Sequence, residues 1–145
     1  MQTLEEVFWS YVWRCTHQEP CKRCCWPWRP AFARALQHHL VPGYGTFIVR
    51  EHPRLIVLAH RMAIVVRRHA LLLPFGQRVP ACHLCDFASC CNDAHIVLGT
   101  PHDNIAGTAK RGWSCKNRAP VVLPDGSFFS PWQILTHLPS GFIND

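Results

Sequence analysis

The stretch CHLCDFASCCNDAH, residues 82–95, places six Cys or His among fourteen positions. Within it Cys85, Cys90 and His95 are spaced Cys-x4-Cys-x4-His. Zinc takes about four such soft or borderline ligands at the corners of a tetrahedron. The loop supplies three, so a fourth must come from elsewhere. Cys25, just ahead of Trp26-Pro27-Trp28, is the candidate, with its neighbour Cys24 as the alternative. Buried apolar thiols are the plainer explanation of such residues, but thiol and imidazole at this density in a reduced setting point to metal. His83 stands two residues before the first of these thiols, at the end of an expected strand. Structural zinc closes at four ligands, so His83 is not a fifth. Imidazole exchanges its proton near neutral pH, which suits a general base acting on water.

The rest of the chain bounds what such a loop can serve. At 145 residues one domain is expected, with 48% hydrophobic residues for its core. A domain of that size still gains from a metal staple. Fifteen Lys and Arg against nine Asp and Glu leave +6 at pH 7. That balance favours a polyanionic partner, nucleic acid first and an acidic membrane surface second. The start, MQTLEEVFW, is acidic and lacks a long apolar core, so no secretory leader is expected. Nine cysteines in a reducing compartment favour metal ligation over disulfides. The apolar run 55–66 is broken by His60-Arg61 and is too short to span a bilayer.

Local patterns predict a small α+β chain without repeats. Thr3-Leu4-Glu5-Glu6 has capping-box spacing and opens a helix over 4–14. Residues 14–42, with four cysteines and several prolines, read as irregular. Strands over 44–49 and 55–58 form a hairpin about Glu51-His52-Pro53, followed by a helix over 59–72. A strand over 77–83 leads into the Cys/His loop, and 95–98 is its partner. Thr100-Pro101-His102-Asp103 then starts a helix that ends near Gly112. Pro124-Asp125-Gly126 turns a second hairpin between 121–123 and 127–129, and Ser130-Pro131 starts a last helix through Leu138. Asn104 falls in the first turn of the helix after the loop. Its amide oxygen is a hard, neutral donor acceptable to Mg²⁺.

The residues 83–104, HLCDFASCCNDAHIVLGTPHDN, resemble the ββα-metal nucleases, the HNH and His-Cys-box endonucleases of phage and intron-encoded, homing type. The similarity rests on His83, Cys85, Asp86, Cys90, Asn92, His95, Gly99, Thr100 and Asn104. Cys25-Trp26-x-Trp28, Gly43-Tyr44-Gly45-x-Phe47 and Ala59-His60-Arg61 resemble the lead-in segments. The resemblance implies a zinc-stabilised ββα-metal (His-Me finger) nuclease fold over 1–118, with a hairpin-helix extension over 119–145 that contacts DNA or closes the core. It implies His83 as general base, Asn104 as ligand of a catalytic Mg²⁺ or Mn²⁺, and Cys25, Cys85, Cys90 and His95 as ligands of structural Zn²⁺. Asn92 would brace the loop that orients His83, and Arg50 or Arg54 of the hairpin would contact the scissile phosphate. The implied partner is double-stranded DNA, with homodimerisation by analogy and no membrane. The implied setting is the cytoplasm of a bacterial or phage-infected cell, or a nucleus if the coding intron is eukaryotic. Phe87-Ala88 and Asp93 stand where the family pattern has Asn-Pro and Pro, and Cys82 stands where many HNH enzymes carry an acidic metal ligand.

Other readings stay open beside this one. A zinc-stabilised DNA-binding module without catalysis would need the same fold, and a nuclease directed at RNA would need the same site. Cys15, His17, Cys21 and Cys24 are chemically adequate for a second zinc, with free thiols as the competing reading. Trp26 and Trp28 are expected in the core, and Arg67-Arg68 and Lys110-Arg111 as solvated charges.

Overall fold

The structure is a computed structural model and describes residues 1–68, 81–98, 120–131 and 133–136. Helix α1 spans Leu4–Ser10 and starts on the expected capping box. The Glu6 amide donates to Thr3 Oγ1 at 3.1 Å, and the Thr3 amide donates back to the Glu6 carboxylate at 2.7 Å. The helix stops at Ser10 and not at 14. Val12 leaves it to form an antiparallel bridge with Trp28, and the Trp13 amide donates to the Pro27 carbonyl at 3.0 Å. The extended pairing buries Val12 and Trp13 on the neighbouring segment, and that burial overrides the helical pattern.

Helix α2, Arg29–His38, lies inside the stretch expected to be irregular. Pro30 occupies its first turn, where a missing N–H costs nothing. Phe32 and Ala35 form its buried face. His39 ends it in a left-handed conformation with φ 52°.

Strands β1 (Thr46–Glu51) and β2 (Arg54–Leu58) make the expected antiparallel hairpin, with a register shift between Ile48 and Arg50. Phe47 and Val57 face inward as a cross-strand pair. Just before β1, Gly45 runs against Trp28: a Cβ at residue 45 would overlap the indole ring. Gly45→Ala is therefore expected to lower stability by about 1–3 kcal/mol through overpacking, read as a drop in thermal midpoint.

Helix α3, Ala59–Arg68, follows directly, with His60, Met62, Ala63, Ile64 and Val65 buried. Its last turn corrects one expectation. Arg67 pairs with Glu19 at 2.5 Å and Asp93 at 3.2 Å, and its guanidinium lies over the Trp9 and Trp26 rings. Arg68 donates to the Asp93 and Ile96 carbonyls. The two arginines thus tie α3 to the end of the Cys/His loop, and Arg67 also reaches Glu19; they are not free surface charges. Residues 69–72, expected to extend α3, lie outside the described residues, as do Lys110 and Arg111.

Strands β3 (Ala81–His83) and β4 (Ile96–Leu98) pair antiparallel, with His83 opposite Ile96. His95, expected in β4, belongs to a single 3-10 turn, Asp93–His95. Residues 77–80 and the helix expected after Thr100 lie outside the described residues. Strands β5 (Val121–Val122) and β6 (Phe128–Phe129) close the second hairpin, with Gly126 at φ 89° in its turn. Residues 133–136, expected in a last helix, carry no helical hydrogen-bond pattern. The fold is thus a small α+β arrangement with three helices and short antiparallel ribbons among the described residues.

The buried side chains form two groups. One joins Phe8, Trp26, Trp28, Phe47, Val57 and the inner face of α3. The other joins Trp13, Phe32, Phe87, Val121, Leu123 and Phe129 around Cys25 and Cys90. Trp26 and Trp28 are core residues, as expected. The C-terminal hairpin closes the core over the Cys/His loop, and the Cys25 amide donates to the Val122 carbonyl at 2.7 Å. No helix among the described residues is long and apolar enough to cross a membrane.

Candidate metal centre

The β3–β4 ribbon holds the Cys/His loop at its end, and the segment before α2 delivers a fourth ligand from below. Cys25, Cys85, Cys90 and His95 bring their ligand atoms within 4.8 Å of one another. His95 Nδ1 lies 3.5 Å from Cys25 Sγ and 3.6 Å from Cys90 Sγ. Zn–S near 2.3 Å and Zn–N near 2.05 Å at a tetrahedral angle require an N···S edge of about 3.6 Å. The donor set therefore fits Zn²⁺ in kind, number and spacing. The chain places Cys25 here and Cys24 elsewhere, which decides between the two neighbours.

The electrostatics of the group show what a cation would relieve. The thiols of Cys25 and Cys90 stabilise a thiolate on Cys85, which is held well below the usual thiol range. The Cys85 neighbour in turn drives Cys25 up. Burial, then both neighbouring sulfurs, pushes Cys90 well up. Three sulfurs this close do not all ionise without a positive charge between them. A divalent ion would supply that charge, and the raised thiols of Cys25 and Cys90 would release their protons to solvent as they bound it.

Backbone and side-chain donors hold the ligands in place. The Asn92 amide N–H points at Cys90 Sγ at 3.4 Å, and Asn92 Oδ1 accepts from the Ala94 amide at 3.0 Å. Asn92 Nδ2 donates to the carbonyls of both Cys21 and Cys24 at 2.7 Å. His95 Nε2 donates to the Lys22 carbonyl at 2.7 Å, which leaves Nδ1 free for metal. Such outer contacts fix the tautomer and orientation of a ligating imidazole.

A second group lies beside the first: Cys15, His17, Cys21 and Cys24, again with ligand atoms within 4.8 Å of one another. Sequence spacing alone did not favour metal over free thiols here. What brings the four together, convergence of Cys15 and His17 on the Cys21-x2-Cys24 turn, is tertiary. Cys91 is fully buried outside both groups, and Cys115 lies outside the described residues.

His83 adjoins the first group through the backbone. Its Nε2 donates to the Cys90 carbonyl at 2.8 Å. That bond assigns a proton to Nε2 and fixes the orientation of the ring. The His83 ring stacks 4.6 Å from His60 and 6.0 Å from Tyr44, centroid to centroid. His60 is itself buried and donates from Nε2 to the Ala81 carbonyl at 3.1 Å, and its Nδ1 has no partner among the described residues. Burial, with His83 beside it, lowers His60 to about 3, so its ring is neutral.

Arg50 and Arg54 flank the β1–β2 turn. Arg50 donates to the Pro53 carbonyl in its own turn, and Arg54 faces Glu51 at 3.9 Å. Asn104 lies outside the described residues. No protein family, curated protein or solved structure matches the chain.

Proposed function

We propose that the protein is a divalent-metal-dependent DNA endonuclease of the ββα-metal type, with His83 as general base. One observation carries the reading: His83 is anchored through Nε2 to the carbonyl of Cys90, a member of the Cys/His group, which fixes its ring beside that loop. The Cys/His group shapes the loop, and His83 takes a proton from the attacking water at Nδ1. When bound through Asn104, Mg²⁺ or Mn²⁺ supplies charge stabilisation at the phosphate and the leaving oxygen. The net charge of +6 suits a polyanionic substrate.

A binding module without catalysis is the competing reading, and the burial of His83 between His60 and Tyr44 favours it. Incubation of zinc-loaded protein with supercoiled plasmid separates the two. The endonuclease converts plasmid to nicked or linear forms only when Mg²⁺ or Mn²⁺ is added. A protein that retards DNA in a gel but leaves it intact with either ion is a binding module. A matched RNA duplex in parallel reads any preference for RNA.

A further inference from the structure

We propose that Cys15, His17, Cys21 and Cys24 hold a second structural zinc ion, and that this centre orients the ligands of the first. The inference does not rest on the nuclease reading. Its ground is the chain from Arg14 to Cys24, which supplies little to its own shape and is held by side chains from outside it, among them Asn92, His95 and Arg67. Residues 14–24 read RCTHQEPCKRC and contain no apolar side chain beyond the three cysteines and Pro20. They form neither helix nor strand, and among the described residues they make no backbone-to-backbone hydrogen bond. Yet Cys21 and Cys24 are buried, Cys15 is half-buried, and every other residue of the stretch is exposed. A largely solvated loop of this composition gains little from packing, and a group at its centre that joined the sulfurs would supply what its own backbone does not.

The geometry at that centre suits zinc. His17 Nδ1 lies 3.4 Å from Cys24 Sγ and 3.8 Å from Cys21 Sγ. These values bracket the N···S edge of about 3.6 Å that tetrahedral Zn²⁺ requires. Three thiolates and one imidazole close the coordination sphere with no open position, the pattern of structural and not catalytic zinc. The Trp26 indole N–H points at Cys15 Sγ at 3.4 Å, a donor placed to stabilise a metal-bound thiolate. One Zn²⁺ with three thiolates leaves a single negative charge, in a loop that carries Arg14, Lys22 and Arg23.

The two centres share their supports. Cys24 and Cys25 are consecutive, and each serves a different group. Asn92, between two ligands of the first group, clasps the Cys21 and Cys24 carbonyls of the second. The Lys22 carbonyl, inside the Cys21-x2-Cys24 turn, is the group that orients His95. A zinc ion at the second centre fixes that turn, and the turn fixes His95.

Metal analysis of the full chain, purified with zinc under reducing conditions, is expected to find two zinc ions per chain. His17 is exposed, so His17→Ala removes a ligand and no core packing. That variant is expected to hold one ion and to release it to a competing chelator about 10–100-fold more readily than the parent releases its first-centre ion. Alkylation mapped on the unmutated parent gives a second reading: zinc is expected to protect Cys15, Cys21 and Cys24. One zinc per parent chain, iron in place of zinc, or equal alkylation with and without zinc overturns the second centre. A His17→Ala variant that retains its remaining ion as tightly as the parent overturns the orienting role. None of these readings involves DNA cleavage, so they stand or fall apart from the nuclease assay.

Discussion

His83→Ala is expected to slow plasmid cleavage by roughly 10²–10⁴-fold, the usual cost of removing a positioned general base. The substitution also removes a hydrogen bond to the Cys90 carbonyl, which leaves a buried acceptor unpaired at a cost of about 1–3 kcal/mol. A slower variant could therefore be a damaged one, and two controls separate the causes. Zinc content should match the parent, because none of the four first-centre ligands is touched. Added imidazole should restore part of the rate, because the cavity left by the ring sits where the base stood. Rescue of that kind requires proton transfer at the position and does not follow from restored packing alone. Cleavage by His83→Ala at the parental rate, with the metal-dependent nicking intact, would remove His83 from the mechanism and leave the pairing with Cys90 as its only role.

The parts of the fold that could be read from sequence are those set by local chemistry. The capping box at Thr3 and Glu6, the ribbon either side of Pro53, and the Asp125-Gly126 turn each depend on residues within a few positions of one another. The Cys85, Cys90 and His95 spacing is local in the same sense, and these ligands converge as expected. Tertiary contacts decided the rest. Helix α1 stops short because residues 12 and 13 pair with residues 27 and 28, a partner invisible from the helical pattern alone. Helix α2 was obscured by the cysteines and prolines before it, although Phe32 and Ala35 at helical spacing, behind a first-turn Pro30, carried the signal. Arg67 and Arg68 look like surface charge in sequence; only the fold brings Glu19 and Asp93 to meet them. The second Cys/His group is chemically adequate in sequence, but its four ligand atoms come together only in the fold, with Trp26 and Asn92 closing around it.

Removal of zinc with a strong chelator is expected to unfold the chain outright. Structural zinc sites contribute an apparent 10–16 kcal/mol at neutral pH, as much as or more than the 5–15 kcal/mol by which whole domains are stable. The structure explains why so little would remain. Cys25 and Cys90 sit at the centre of the second buried group, touching the layer formed by Phe32, Phe87, Val121 and Leu123. Without a cation that layer packs around sulfurs that resist sharing one site, with Cys25 and Cys90 both pushed up and Cys85 well down. Cys90→Ser is expected to act like the chelator, since it deletes the most buried ligand and leaves a polar hydroxyl in its place. Near-ultraviolet circular dichroism is the sensitive readout because Trp13, Trp26 and Trp28 are all buried close to these ligands. Acid should act in the same way: the cysteine and histidine ligands regain protons as pH falls, so zinc affinity and stability decline together toward low pH. Readdition of Zn²⁺ at neutral pH should restore the signal, whereas Mg²⁺, which prefers oxygen ligands, should not. A chelated chain that keeps its tryptophan signal and a cooperative thermal transition would mean that packing alone holds this fold, and that the four converging ligands do not serve as its staple.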